Sequence, residues 1–188
     1  MPKSRRLVIL LVVLLVLVGL DQATKSIAQR SLAGEPAREV LGGAVRIEYA
    51  ENVGSFLSLG AALPAEARFW IFTVFSTALV VGLAVYALRA SADTPLLVYL
   101  GIALVIAGGV GNLIDRLTHQ GRVVDFMQLR AGPLRTGVFN VADVALMVGI
   151  GLVLLAMLPG DGGLEHETTK AREGAEREGR EGREGREE

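Results

Sequence analysis

Four apolar stretches decide what this chain can fold into, at residues 7–20, 69–88, 96–113 and 138–158. About 20 apolar residues in a helix cross the roughly 30 Å hydrocarbon core of a bilayer. The first stretch covers only about 21 Å as a helix, so it spans only if the helix continues through Asp21 and Lys25 to about Ile27. The pattern therefore predicts an all-α membrane protein with four transmembrane helices.

An even number of spans puts both termini on the same side of the membrane. Lys3, Arg5 and Arg6 precede the first span, and basic residues there favour a cytoplasmic N-terminus. The alternative is a cleaved signal peptide, but no small-x-small cleavage pair follows Leu20. We therefore expect a multi-pass protein with both termini in the cytoplasm.

Three segments outside the spans differ in character. Residues 28–66 have a strand-like run at 44–50 between glycines, which predicts a small, β-containing cap on the outer face. Residues 115–137 form a second outer loop. Together with the spans these make a domain of residues 1–160. Residues 161–188 repeat Arg-Glu-Gly, with ten acidic and six basic residues, and are predicted to be a disordered tail.

Composition excludes several kinds of chemistry. The chain has no Cys, so disulfides, thiol nucleophiles and Cys-ligated metals are impossible. A net charge of −1 gives no indication of nucleic-acid binding. His119 is the only His near the polar residues described next, and a lone loop His is a poor basis for a metal site. We therefore expect no metal and no cofactor.

Asp21 and Lys25 lie one helical turn apart near the outer end of the first span. This spacing favours an ion pair, and a neutralised Asp is a poor base. We therefore interpret them as structural, with participation in a site as the alternative.

"GGVGNLIDRL" places Asn112, Asp115 and Arg116 on one helical face after three closely spaced glycines. The glycines would let another helix or a substrate backbone approach closely. An Asp115–Arg116 salt bridge would fix local geometry, and Arg116 offers donors for a substrate carbonyl. A purely structural clamp at the helix end is the alternative.

Two further Asp residues have contrasting surroundings. Asp125 interrupts an apolar, extended stretch, which should raise its pKa. Asp143 shares the first turn of the last span with Asn140, where the helix N-terminus favours a carboxylate. A loop cap and a helix cap are the plain alternatives. Two such carboxyls brought together could share a proton, one activating water and the other polarising a carbonyl.

The motifs "DQATK", "ENVGSF", "GGVGNLIDR", "VVDF" and "FNVAD", in this order over residues 5–158, resemble the lipoprotein signal peptidase (signal peptidase II) family. "NVGSF" is one residue shorter than the family's usual Asn-x-Gly-Ala-Ala-Phe, which leaves the conformation of the cap open.

The resemblance implies an aspartic endopeptidase of the bacterial inner membrane, with its active site near the outer leaflet. Its substrates would be prolipoproteins embedded in lipid, cut on the N-terminal side of a diacylglyceryl-modified Cys. The implied catalytic pair is Asp125 and Asp143, and Asp21 and Lys25 are implied to be structural. The residues implied to contact substrate are Asn52, Gly54, Asn112, Asp115, Arg116 and Asn140.

An ion-coupled transporter is the main alternative, because intramembrane Asp and Asn can bind Na⁺ or H⁺. The repeated Asn-x-x-Asp at Asn112 and Asn140 mildly supports it. The polar residues, however, gather at one end of the spans rather than at the midplane.

Overall fold

The computed structural model describes residues 2–53 and 62–158. Within them are four helices and four short strands. The helices are α1 (Lys3–Leu32), α2 (Ala65–Arg89), α3 (Leu96–Thr118) and α4 (Val141–Met157), and the strands are β1 (Arg38–Val40), β2 (Val45–Asn52), β3 (Val123–Ala131) and β4 (Leu134–Arg135). Residues up to Ala156 form one compact unit. Gly54 and the predicted tail lie outside the described residues.

The helices correspond to the four apolar stretches. Three of them, α1, α2 and α3, are long and apolar enough to cross a membrane. Helix α4 is equally apolar but has 17 residues, about 26 Å of helix, at the lower end of the spanning range. Helix α1 does continue through Asp21 and Lys25, as predicted, and ends at Leu32, a few residues beyond the predicted start of the cap.

Local sequence explains where the middle helices begin. Pro64 and Pro95 directly precede α2 and α3; a proline there lacks only an N–H that the helix would leave unpaired. Helix α2 widens into π-helical turns over Phe69–Phe75. Phe69 and Trp70 in these turns are exposed and pack edge to face.

Glycines let α3 and α4 pack backbone to backbone. A Cβ at Gly101 would lie 2.7 Å from the Gly149 carbonyl oxygen, and one at Gly149 would lie 2.6 Å from the Gly101 oxygen. A Cβ at Gly108 would clash with the Ala142 carbonyl. The glycines before Asn112 therefore do allow a second helix to approach closely, as the sequence predicts.

The strands form one antiparallel sheet in the order β1-β2-β3-β4. The sequence analysis predicted a strand-like cap and an outer loop, and it did not predict that strands of the two segments pair with each other. Strand β2 pairs with β3 so that Ala50 opposes Asp125 and Asn52 opposes Val123. A bridge between Met127 and Phe139 then leads the chain from the sheet into α4. The sheet thus joins the predicted cap to the segment that carries Asp125.

The opposite end of the helices is fastened by Arg6. Its side chain is only 4% exposed and donates to the carbonyls of Ser91, Ala92 and Thr94 between α2 and α3. The Tyr99 hydroxyl donates back to the Arg6 carbonyl at 3.1 Å. Arg6 is therefore a buried clamp between helices as well as part of the basic N-terminus.

Candidate active site

The polar residues singled out in the sequence converge where four elements meet. Helix α1 contributes Asp21 and Lys25, and the end of α3 contributes Asn112 and Asp115. The start of α4 adds Asn140 and Asp143, and β3 adds Asp125. Of these seven side chains all but Asp143, which is half-buried, are at most 5% exposed. Burying so many polar groups is costly unless they bond to one another.

Asn140 caps α4 and contacts both candidate carboxylates. The Asp143 backbone N–H donates to Asn140 Oδ1 at 2.9 Å, and the Asn140 N–H donates to Asp143 Oδ2 at 3.2 Å. This reciprocal capping box accounts for both members of the Asn-x-x-Asp motif. The helix cap named as the plain alternative in the sequence analysis is therefore present, and it includes both residues.

Asp125 accepts two side-chain amide bonds. Asn140 Nδ2 donates to its Oδ1 at 2.7 Å, and Asn52 Nδ2 donates to its Oδ2 at 3.0 Å. Burial, reinforced by the nearby negative charge of Asp143, raises the pKa of Asp125 to about 7. The sequence predicts this direction from the apolar neighbours. Val124 and Phe126 are themselves buried in the protein, so both faces of the strand are covered.

Asp143 shares Asn140 with Asp125, and its second partner is Asn112. Asn112 Nδ2 donates to Asp143 Oδ1 at 2.9 Å, and Asn140 Nδ2 is 3.1 Å from Asn112 Oδ1. The two carboxylates are thus linked through two side-chain amides. Amides donate hydrogen bonds without carrying a charge, so they orient a carboxylate without forcing it to stay ionised.

Lys25 forms the centre of a second, charged cluster. Its ammonium lies 2.8 Å from Asp21 Oδ2 and 3.0 Å from Asp115 Oδ2. The predicted Asp21–Lys25 pair is confirmed. The predicted Asp115–Arg116 salt bridge is wrong, because Lys25 is the basic partner of Asp115. Adjacent residues on a helix point in different directions.

The cluster also holds the surrounding backbone. Asp21 Oδ1 accepts the Ala142 N–H at 2.9 Å, at the start of α4, and Asp115 Oδ2 accepts the Val124 N–H at 2.9 Å. These bonds fasten α4 and β3 at the residues next to Asp143 and Asp125.

Gln22 is a member of the cluster that the sequence reasoning did not single out. Its Nε2 lies 3.0 Å from Asp115 Oδ1 and 3.2 Å from both Asp21 Oδ2 and the Gly111 carbonyl. A search for charged residues in apolar helices passes over a neutral amide. The position of Gln22 in sequence between Asp21 and Lys25 could have indicated that it belongs to the cluster.

Arg116 has a freer side chain than its neighbours. It is half-buried, and its Nη1 makes a long 3.5 Å contact with the Asn112 carbonyl. His119 contacts Thr118 at 2.9 Å, on the exposed side of the helix end. Guanidinium donors beside the two carboxylates could hold a substrate carbonyl.

Comparison with known proteins agrees with this arrangement. The family described as Signal peptidase (SPase) II matches residues 13–159. The chain belongs to the signal peptidase II family. Lipoprotein signal peptidases of Streptococcus pneumoniae and Desulforapulum autotrophicum are 37% and 34% identical to it. These alignments cover 80% and 78% of this chain and 92% and 90% of theirs.

Solved structures agree with the family assignment. Two structures of a bacterial membrane enzyme obtained by the in meso method, at 2.3 and 1.9 Å resolution, superpose with a TM-score of 0.67 and 26% identity. They cover 79% of this chain and 87% and 92% of their own chains. The chain is therefore a bacterial integral membrane protein of the signal peptidase II family, and a protease.

Proposed function

We propose that this protease removes the signal peptide from prolipoproteins, on the N-terminal side of a diacylglyceryl-modified Cys, by an aspartic mechanism. The proposal rests on one observation: Asn140 donates to Asp125 from its side chain at 2.7 Å and to Asp143 from its backbone at 3.2 Å. A single residue, Asn140, therefore bonds to both carboxyl groups and keeps them close together.

The chemistry follows from the different surroundings of the two carboxyls. Because its pKa is about 7, Asp125 holds a proton in a large fraction of molecules at neutral pH, while the N-terminus of α4 favours Asp143 as the carboxylate. Asp143 removes a proton from a water molecule, which attacks the scissile carbonyl carbon as Asp125 donates to the carbonyl oxygen. When the C–N bond breaks, the proton held by Asp143 passes to the leaving amine, and a hydroxyl of the intermediate returns its proton to Asp125 as the new carboxyl group forms.

The neighbouring polar side chains would hold the substrate. Asn52 and Arg116 have donors near the carboxyls, and Asn112 and Asn140 orient both; Gly54, outside the described residues, follows Asn52 closely in sequence. Asp115 was predicted to contact substrate. Because its buried carboxylate already accepts bonds from Lys25, Gln22 and Val124, we propose a supporting role for it instead.

The proposed membrane arrangement has four spans, with α4 as the shortest, in the inner membrane. Both termini face the cytoplasm, and the sheet forms a cap on the outer face. The domain limits remain 1–160 for the peptidase and 161–188 for the tail. The carboxyls then lie near the outer leaflet, where a diacylglyceryl chain can stay in lipid while the amide enters the site. About 0.8 kcal/mol per buried CH₂ anchors such a substrate.

The test compares turnover of a signal-sequence peptide with a diacylglyceryl-Cys and of the same peptide with an unmodified Cys, in detergent at equal concentration. We expect cleavage of the lipidated peptide only, insensitivity to chelators, and loss of turnover in Asp143→Asn. Equal rates on both peptides would refute the lipid requirement. Inhibition by a chelator would refute a mechanism that uses two carboxyls alone.

The transporter alternative is not favoured. Membership of a peptidase family accounts for the same Asp and Asn residues, and the repeated Asn-x-x-Asp has different uses in its two copies. The copy that begins at Asn140 forms a capping box. In the copy that begins at Asn112, Asn112 bonds to Lys25 and Asp143, and Asp115 bonds to Lys25.

A further inference from the structure

Lys25 is buried, touches neither proposed catalytic carboxyl, and yet bonds to a residue that does. Its ammonium is 3% exposed and lies 3.1 Å from Asn112 Oδ1, in addition to its two carboxylate partners. An ammonium has three protons and no acceptor. Its three partners, Asp21, Asp115 and Asn112, therefore use all three protons.

The contact with Lys25 decides which way the Asn112 amide points. An ammonium can only face the oxygen end of that amide, so the Nδ2 end is turned toward Asp143 Oδ1. The reversed amide would set its oxygen against a carboxylate oxygen and its N–H groups against the ammonium. Both contacts would be repulsive in a buried site, where electrostatic interactions are strengthened.

The Asn112 amide oxygen also accepts a hydrogen bond from the side chain of Asn140. Asn140 Oδ1 accepts the Asp143 N–H, which leaves its Nδ2 to face Asn112 Oδ1 and Asp125 Oδ1. If Asn112 turned over, Asn140 Nδ2 would meet another N–H donor and would lose one acceptor. The orientation fixed at Asn112 therefore reaches both carboxyls.

We infer that Lys25 is a positioning residue for the proposed reaction, because it locks Asn112 so that its amide donates to Asp143. This inference deepens the proposed function and rests on it. The sequence assigned Lys25 a structural role through Asp21 alone, whereas the contact with Asn112 gives it a second, separable role.

A matched pair of variants separates the two roles. Lys25→Met and Gln22→Met introduce the same side chain on the same helix, and each removes donors to Asp21 and Asp115. Only Lys25 touches Asn112. We expect kcat for the lipidated peptide to fall about 10- to 100-fold in Lys25→Met, as for a small displacement of reacting groups, with KM nearly unchanged. Gln22→Met should lose stability but keep kcat.

The pH dependence of kcat is the second readout. The charged groups that interact with Asp143 are Asp21 and Lys25 from α1, Arg116 from α3 and Asp125 from β3; Asp115 from α3 bonds to Lys25. Lys25→Met removes a cation near Asp143 and lets the Asn112 amide turn away from it. Both changes make it harder to keep Asp143 ionised, so the acid limb of the profile should move to higher pH. A change in folding alone would lower the active fraction without moving that limb.

Lys25→Met leaves Asp21 and Asp115 without their cation and could fail to fold, since an uncompensated buried charge is strongly destabilising. The double variant Lys25→Met/Asp21→Asn removes one of those charges, with Asp21→Asn alone as its control, because Asp21 is assigned a structural role. If the double variant folds but has a lowered kcat while its control is active, the result supports Lys25 as a positioning residue. Full activity per folded molecule overturns it, and so does failure of both Lys25 variants to fold, which would assign Lys25 to folding. Wild-type turnover in the same assay tests the proposed function separately.

Discussion

Replacing Asp125 by Asn should stabilise the protein at neutral and alkaline pH even though it should sharply reduce cleavage. Burial raises the pKa of Asp125 from 3.8 to about 7, and the side chain is 2% exposed. Asn has nearly the shape of a protonated carboxyl and offers an oxygen acceptor and an NH₂ donor group. Its contacts with Asn140 and Asn52 can therefore be kept once the Asn52 amide turns over.

The sign of the effect follows from proton linkage. Between about pH 4 and pH 7 the native state holds the Asp125 proton, whereas the unfolded chain has lost it. The free energy of unfolding of the wild-type protein therefore falls as the pH rises through this window and stays level above it. About three pKa units at about 1.4 kcal/mol each correspond to at most about 4 kcal/mol. The amide has no such penalty.

The assay is thermal unfolding of wild type and Asp125→Asn in the same detergent, from about pH 4 to about pH 8. The stability of the variant relative to the wild type should rise up to about pH 7 and stay level above it. Glu35→Gln removes a carboxyl that is exposed and serves as the control, with no gain expected. Cleavage should fall by about 10²–10⁴-fold. If the difference in stability between variant and wild type does not change with pH, Asp125 does not hold a proton in the native state.

Four further outcomes are expected. Gly111→Ala should lower stability by about 1–3 kcal/mol, because its Cβ would lie 2.6 Å from Asp21 Oδ2; Gly82→Ala, where the Cβ meets open space, should not, and equal melting temperatures would argue against the packing. Asp21→Ala should lower the melting temperature more than the rate per folded molecule, since Asp21 holds Lys25 and the Ala142 N–H; a stable, inactive variant would move Asp21 into the site. Cleavage should decline as pH rises through about 7, where Asp125 loses its proton; a rate still rising at about pH 9 would contradict its role as the acid. Deleting residues 161–188 should leave kcat unchanged in membrane-inserted protein, and a loss would reveal a function of the tail.

Much of the helical frame could be predicted because hydrophobic length is a local property. The four apolar stretches correspond to the four helices, and the charged end of the first stretch continues α1 as its short length requires. The Asp21–Lys25 pair was predictable for the same reason, since a spacing of four residues brings two side chains together on any helix.

The contacts made through the sheet could not be predicted in this way. Pairing of β2 with β3 brings Asn52 to Asp125 at 3.0 Å, although 73 residues separate them in sequence. Register across such a distance depends on the pairing of whole strands. Asp115 illustrates a different failure. Its neighbour in sequence, Arg116, was predicted to be its salt-bridge partner, whereas its actual partner, Lys25, comes from another helix.

The arrangement of charges around the proposed dyad suggests why asparagines surround it. A cation bonded directly to either carboxyl would favour the ionised form, and a fully ionised pair could not supply the proton that the carbonyl oxygen needs. In the described residues the ammonium of Lys25 instead bonds to Asp21, Asp115 and the oxygen of Asn112, and amides make the side-chain contacts to Asp125 and Asp143. The positive charge of Lys25 thus orients the amide donors without bonding to either carboxyl, as the proposed mechanism requires.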